Sequence, residues 1–111
     1  MPAPIRTCQE YFDTLTDRFV ASAGRGVNAV YQFELTGDGG GSWHVKVEDG
    51  RVSVHPGAHT SPSATITAGA ADYVKIANGE MNGLRAVMTR KMVVGGNLVM
   101  ARKMQAMFPT G

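Results

Sequence analysis

"GSWHVKVEDGRVSVHPG", Gly41 to Gly57, reads as a β-hairpin. Trp43, Val45 and Val47 alternate with His44, Lys46 and Glu48, the period of two that sends successive side chains to opposite faces of a strand. Asp49-Gly50 is a dipeptide suited to the positive φ angles of a two-residue hairpin turn. With the turn at 49–50, Glu48 faces Arg51 and His44 faces His55 on the polar side. Val52 and Val54 continue the apolar side.

The pattern extends in both directions. Upstream, Val27, Ala29, Tyr31, Phe33 and Leu35 alternate with Asn28, Val30, Gln32 and Glu34, as in a half-buried strand. Gly37–Gly41 forms the loop between the two strands. Before it, Thr7-Cys-Gln-Glu10 fits a capping box that opens a helix. Phe12, Leu15 and Phe19 then recur at helical spacing, and the helix stops near Ala23–Gly26. Downstream, residues 56–62 form a turn region and Ala64–Ala68 a fourth strand. Ala70–Asn78 is helical, with Gly79 as its stop, and Asn82 caps a short helix holding Leu84, Val87 and Met88. Met92–Val94 is a fifth strand, Gly95-Gly96 a turn, and Asn97–Phe108 a last helix ended by Pro109. The order predicts an α+β fold: a five-stranded, mostly antiparallel sheet with one face covered by helices.

The 111 residues fit one domain, spanning 1–111. A lone cysteine, Cys8, leaves no internal disulfide and no cysteine zinc cluster, and suits a reducing compartment. The opening Met1-Pro-Ala-Pro-Ile-Arg6 lacks the apolar run of a secretory signal, so a cytoplasmic protein is expected. Charge is unevenly spread. Residues 1–74 carry five Lys/Arg against eight Asp/Glu, whereas residues 75–111 carry six (Lys75, Arg85, Arg90, Lys91, Arg102, Lys103) against Glu80 alone. The basic end suits an anionic head group or a transient contact with an anionic membrane surface.

Candidate chemistry is thin. His44 and His55 are a cross-strand pair, but zinc needs at least a third ligand, and His59 lies on a loop. No serine sits in a nucleophile elbow and no two carboxyls are paired among apolar residues. An enzyme is disfavoured and no cofactor is expected. Gly37–Ser42 lacks the lysine of a phosphate loop and precedes a strand. Tyr31, Phe33 and Trp43 face inward, away from Lys46 and Arg51, so no nucleic acid is expected. What remains is the methionines. Met100, Met104, Met107 and Phe108 share one face of the last helix in a chain with only four leucines. Methionine is flexible and polarisable, suited to filling irregular space or adapting to varied ligands. A core seam, a partner-binding face and a pocket wall all fit that composition.

Taken in order, these segments resemble the sterol carrier protein type-2 family nearly end to end. The resemblance is carried by Phe19, "VYQFELTG" (Val30–Gly37), Gly41–Gly57, "SATITAGAADYVKIANGEMN" (Ser63–Asn82) and "RKMVVGGNLVMARKM" (Arg90–Met104). Lys91, Gly96, Asn97, Ala101 and Lys103 fit the family's running pattern. Arg90 stands where the family often has glycine, and Gly83 where proline is common. The resemblance implies an apolar tunnel between sheet and helices, no catalysis, and a fatty acid, fatty acyl-CoA, phospholipid or sterol-like ligand. On that basis the expected tunnel wall is Tyr31, Phe33, Trp43 and Val45 from the sheet. Phe12, Leu15, Phe19, Tyr73, Ile76, Leu84 and Met88 form the helical side, with Met100, Met104 and Phe108 closing one end. Arg90, Lys91 and Lys103 are the head-group or membrane contacts. The alternative is an accessory or oligomerising module whose apolar face binds a protein partner.

Overall fold

The structure is a computed structural model and describes residues 5–59 and 61–108, the side chains of Gln105 and Ala106 apart. Five strands form one sheet in the order β3-β2-β1-β4-β5: β1 (Asn28–Thr36), β2 (Gly41–Glu48), β3 (Arg51–Pro56), β4 (Ala64–Gly69) and β5 (Met92–Gly96). Every neighbouring pair is antiparallel except β1 and β4. The hairpin has the expected register, Glu48 opposite Arg51 and His44 opposite His55. Asp49 and Gly50 both take positive φ, 44° and 84°, which matches the right-handed twist of the flanking strands. The turn is anchored from outside: Asp49 accepts at Oδ1 from the Gly26 amide at 2.7 Å, and the Gly50 amide donates to the Gly24 carbonyl at 3.0 Å.

Helices cover the inner face. The expected single opening helix is two short ones, α1 (Cys8–Asp13) and α2 (Leu15–Arg18), followed by a 3₁₀ turn, Ala21–Gly24. Thr7 caps α1 by accepting at its hydroxyl from the Glu10 amide at 3.1 Å, one of the two bonds of a capping box. The break falls at Thr14, whose hydroxyl donates to the Glu10 carbonyl at 2.8 Å. Such back-bonding lets a β-branched residue compete with the helix ladder and bend it. Arg18 then reaches back to the Thr14 hydroxyl and the Tyr11 carbonyl. Later come α3 (Ala70–Ala77), α4 (Gly83–Met88) and α5 (Leu98–Met107), with Asn82 capping α4 and Asn97 capping α5. The expected Pro109 stop lies outside the described residues.

Two further departures from the sequence pattern have local causes. Val30 and Gln32, on the outward side of β1, are buried as well. The connection from β3 to β4 crosses that face, and the Gln32 side chain holds it by accepting from the His59 amide at 2.7 Å. Ser63 adds a two-way backbone and side-chain link to Val30. Also, Gly95 and Gly96 belong to β5 rather than to a turn, paired with Thr65 and Ala64. Gly96 has φ 83°, and a Cβ there would sit 2.7 Å from the Ser63 carbonyl oxygen, so the strand approaches β4 too closely for any other residue.

At the end of α4 sequence and backbone conflict. The Lys91 amide donates to the Ala86 carbonyl at 2.8 Å and the Arg90 amide to the Val87 carbonyl at 3.1 Å. That bonding pattern is the Schellman cap, whose left-handed residue is usually glycine. Here it is Arg90, at φ 63°. A side chain in this region costs roughly 1 kcal/mol. Arg90→Gly should therefore raise stability by about that amount, read as a higher midpoint in chemical denaturation at unchanged slope. All three tyrosines, Tyr11, Tyr31 and Tyr73, are buried, and burial pushes each phenol above its usual value, Tyr31 to about 12. The folded state thus holds these protons more tightly than the unfolded chain. The tyrosine contribution to stability should be constant below pH 10 and be lost between about 10 and about 12. Absorbance titration of the folded protein should show little tyrosinate at the pH where free tyrosine is half ionised.

Candidate functional site

The layer between sheet and helices is packed with aromatic and aliphatic side chains. On the sheet, Tyr31, Phe33, Trp43 and Val45 are all buried, and the register sets Tyr31 beside Val45 and Phe33 beside Trp43. On the helical side Phe12, Leu15, Tyr73 and Ile76 are buried, as is Phe108, while Phe19, Met100 and Met104 are partly buried against the same cluster. Twelve of the fourteen expected apolar residues are therefore gathered in one layer. Phe12 is its hub. It stacks on Trp43 at 4.5 Å between ring centroids and meets Phe33 edge-on at 5.2 Å. Tyr11 and Tyr73 extend the layer, their rings edge-on at 5.1 Å and their hydroxyls 3.1 Å apart. Beside the Phe12–Trp43 stack lies an open cleft of about 460 Å³, between the first helices and β3, bordered by Gln9, Thr16, Val54 and Pro56.

Leu84 and Met88 are not in this layer. They are 66% and 76% exposed. In α4 they stand four residues apart and so share one face, whereas Ala86, two positions from each, is on the opposite face and is the helix's buried residue. Periodicity identifies the pair as one face but cannot say which face turns inward on so short a helix.

The last helix closes the layer and is tied to it at both ends. At the centre of the sheet, the Tyr31 hydroxyl donates to the Met100 carbonyl at 2.7 Å. At the far end, the Val20 amide donates to the Met107 carbonyl at 2.8 Å, and the Phe19 and Phe108 rings lie 5.3 Å apart. Met107 is fully buried, deeper than Met100 or Met104. The helical spacing places it on their face but cannot rank their depth. Tyr11, not singled out by the sequence reading, is likewise part of the layer; its only signal was its place beside Phe12.

Arg90, Lys91 and Lys103 are all exposed. Among the described residues the ion pair present is Lys46–Glu48, at 2.9 Å on the solvent side. Cys8 is buried, its thiol 3.6 Å from the Ala70 carbonyl, and burial pushes its ionisation up, which makes it a core residue rather than a nucleophile. His44, His55 and His59 do cluster, with His44 5.0 Å from His55 and 5.2 Å from His59 between ring centroids. His44 Nδ1 is within 3.0 Å of the Gly57 carbonyl, so its role is to fasten the crossing loop. Among the described residues no group of three His, Cys, Asp or Glu has the arrangement to hold a metal.

Comparison with known proteins gives a consistent picture. Hydroxysteroid dehydrogenase-like protein 2 of Rattus norvegicus is 33% identical over 99 residues, which cover 84% of this chain and 17% of that protein. The chain thus spans about a sixth of the length of this curated relative. Among solved structures, the palmitated SCP2L2 of Aedes aegypti superposes with a TM-score of 0.72 at 22% identity, covering 91% of this chain and 93% of that one. The inverting sec-alkylsulfatase Pisa1 of Pseudomonas sp. superposes with a TM-score of 0.78 at 13% identity, over 96% of this chain and 17% of that enzyme. The family match, to the SCP-2 sterol transfer family, runs over residues 12–109, nearly the whole chain. This chain belongs to the SCP-2 sterol transfer family.

Proposed function

We propose that the protein is a non-catalytic lipid carrier that holds an acyl chain or similar apolar molecule between the sheet and α5. Family membership supports lipid binding and transfer in general. The observation that supports the finer reading is the apolar layer of aromatic and methionine side chains, which at its Phe12–Trp43 end, away from α5, borders an open cleft. Phe12 and Trp43 border the cleft, and soft side chains, Met100, Met104 and Met107, face the sheet from a helix fastened by few polar bonds. A ligand enters by parting these layers. Each methylene it buries contributes about 0.8 kcal/mol in transfer terms, and ordering its rotors offsets much of that. The palmitated state of the Aedes aegypti relative supports a fatty acyl ligand over a rigid one. Arg90, Lys91 and Lys103 supply the positive charge for a carboxylate or phosphate head. The lone, buried thiol fits a cytoplasmic setting.

A second reading, an accessory domain that serves an enzyme, is favoured by one observation: the matched segment is 17% of the rat dehydrogenase-like protein and of the Pseudomonas sulfatase. The two readings diverge in what the isolated chain does. A carrier binds an acyl probe on its own.

Organic extracts of the purified protein, analysed by mass spectrometry, should contain a long-chain lipid. A fluorescent fatty acid should bind at micromolar concentration or below and be displaced by unlabelled palmitate. If no lipid co-purifies and no probe binds, the carrier reading fails. Met104→Glu should weaken probe binding roughly tenfold or more, since a carboxylate in the apolar layer must be desolvated with no partner. Unchanged affinity at an unchanged circular dichroism spectrum would remove α5 from the site.

A further inference from the structure

The chain has three histidines, and the fold brings all three together. His44 and His55 face each other across β2 and β3, their rings stacked with centroids 5.0 Å apart. His59, from the connection between β3 and β4, meets His44 edge-on at 5.2 Å. The cluster lies on the outer side of the sheet, because His44 alternates along β2 with the inward Trp43 and Val45.

The bonds at the cluster depend on which nitrogens carry protons. A carbonyl oxygen only accepts, so His44 Nδ1, 3.0 Å from the Gly57 carbonyl, carries a proton. An amide only donates, so His59 Nδ1, which accepts from the Ser61 amide at 3.0 Å, carries none. A charged imidazole has two donors and no acceptor. The Ser61 bond therefore exists only while His59 is neutral, whereas the Gly57 bond survives the charging of His44.

Acid acts on this arrangement twice. It turns the acceptor nitrogen of His59 into a donor aimed at an N–H, and it sets like charges on rings 5.0 and 5.2 Å apart. The other charged groups on the outer face are already engaged. On β1, Glu34 accepts from Gln32 Nε2 at 3.0 Å and from Ser42 Oγ at 2.5 Å. On β2, Lys46 and Glu48 pair with each other, and on β3 Arg51 stands opposite Glu48. β4 turns Thr65 and Thr67 to this side, and residues 57–63 include no Asp, Glu, Lys or Arg.

Gln32 makes the response cooperative. It is 3% exposed, and its Oε1 accepts from the His59 amide at 2.7 Å. If His59 withdraws, that oxygen needs water in its place, because a buried acceptor left unpaired is costly. Movement of the connection and hydration of Gln32 are thus one event. Two backbone bonds that no proton affects hold either end: the Gly57 amide to the Ser42 carbonyl and the Ser63 amide to the Val30 carbonyl, both 2.8 Å. Opening is confined to the middle.

We propose that the three histidines form an acid-sensitive latch on the β3–β4 connection. It is closed while His59 is neutral and opens over the central strand when the rings become charged. Histidine ordinarily changes charge at about pH 6.5, which places the transition in the mildly acidic range. The device makes the outer cover of β1 responsive to pH and leaves the sheet itself in place.

The test is nuclear magnetic resonance of amide exchange with solvent in the full chain, at about pH 7.5 and about pH 5.5, corrected for the intrinsic pH dependence of exchange. Protection of the His59 and Ser61 amides should fall roughly tenfold or more on acidification. The Gly57, Ser63 and β2 amides should keep theirs. His59→Gln, uncharged at both pH values, should abolish the response of the residue 59 amide. His44→Gln with His55→Gln should shrink the response severalfold by removing the like charges. In each variant the β2 amides report whether the sheet is intact. Equal protection of His59 and Ser61 at both pH values would overturn the proposal, as would an undiminished response in either variant. A fall shared by the β2 amides would also overturn it, since acid would then be unfolding the sheet and not releasing one connection.

Discussion

The hydrogen bond from Tyr31 to the Met100 carbonyl joins the middle of the sheet to the helix that closes it. Tyr31 is fully buried on the central strand β1, so its hydroxyl has no water to turn to. It finds its partner 69 residues away, in the first turn of α5. Among the described residues, the other contacts between α5 with its cap and the rest of the molecule are apolar or lie at its ends, through Ser63, Val20 and Phe19. The helix is thus located by a small number of directional bonds and otherwise rests on soft side chains. That combination allows a defined closed state and a modest cost for displacing the helix, which is what a carrier of flexible apolar cargo requires.

The rigid half of the structure lies on the other side of the same strand. β1 is paired along both edges and covered on both faces, and Gln32 holds the crossing connection over its outer side through His59, Glu34 and the Trp43 carbonyl. The Asp49-Gly50 turn reaches back to bind Gly24 and Gly26 beside the 3₁₀ turn. These polar anchors secure the sheet independently of α5. The contrast between a polar-braced sheet and a methionine-faced helix is the physical basis for the proposal that the ligand contacts the inner layer.

Much of this was legible in the residues. Period-two alternation with Asp49-Gly50 set the hairpin register to the residue, and Asn82 and Asn97 marked two helix starts correctly. Local signals of that kind depend on neighbours within a few positions. Most of the departures arise from contacts distant in sequence. Val30 and Gln32 look like solvent-facing residues until His59 and Ser63 bond to them across the outer face. Leu84 and Met88 share a face, but which way α4 turns is decided by where Ala86 meets β5. Thr14 breaks the first helix by a side-chain bond that helical periodicity does not register. The family pattern did flag Arg90 as standing at a glycine position, and the backbone gives that departure a physical meaning.

The central claim is that an acyl chain lies between the sheet and α5. Nuclear magnetic resonance with ¹³C-labelled palmitate and labelled methionine methyl groups tests it most directly. The account predicts intermolecular contacts from the acyl chain to the methyls of Met100, Met104 and Met107 and to the rings of Phe12 and Trp43. Contacts confined to Leu84, Met88 or other exposed residues, with the interior unchanged, would contradict it.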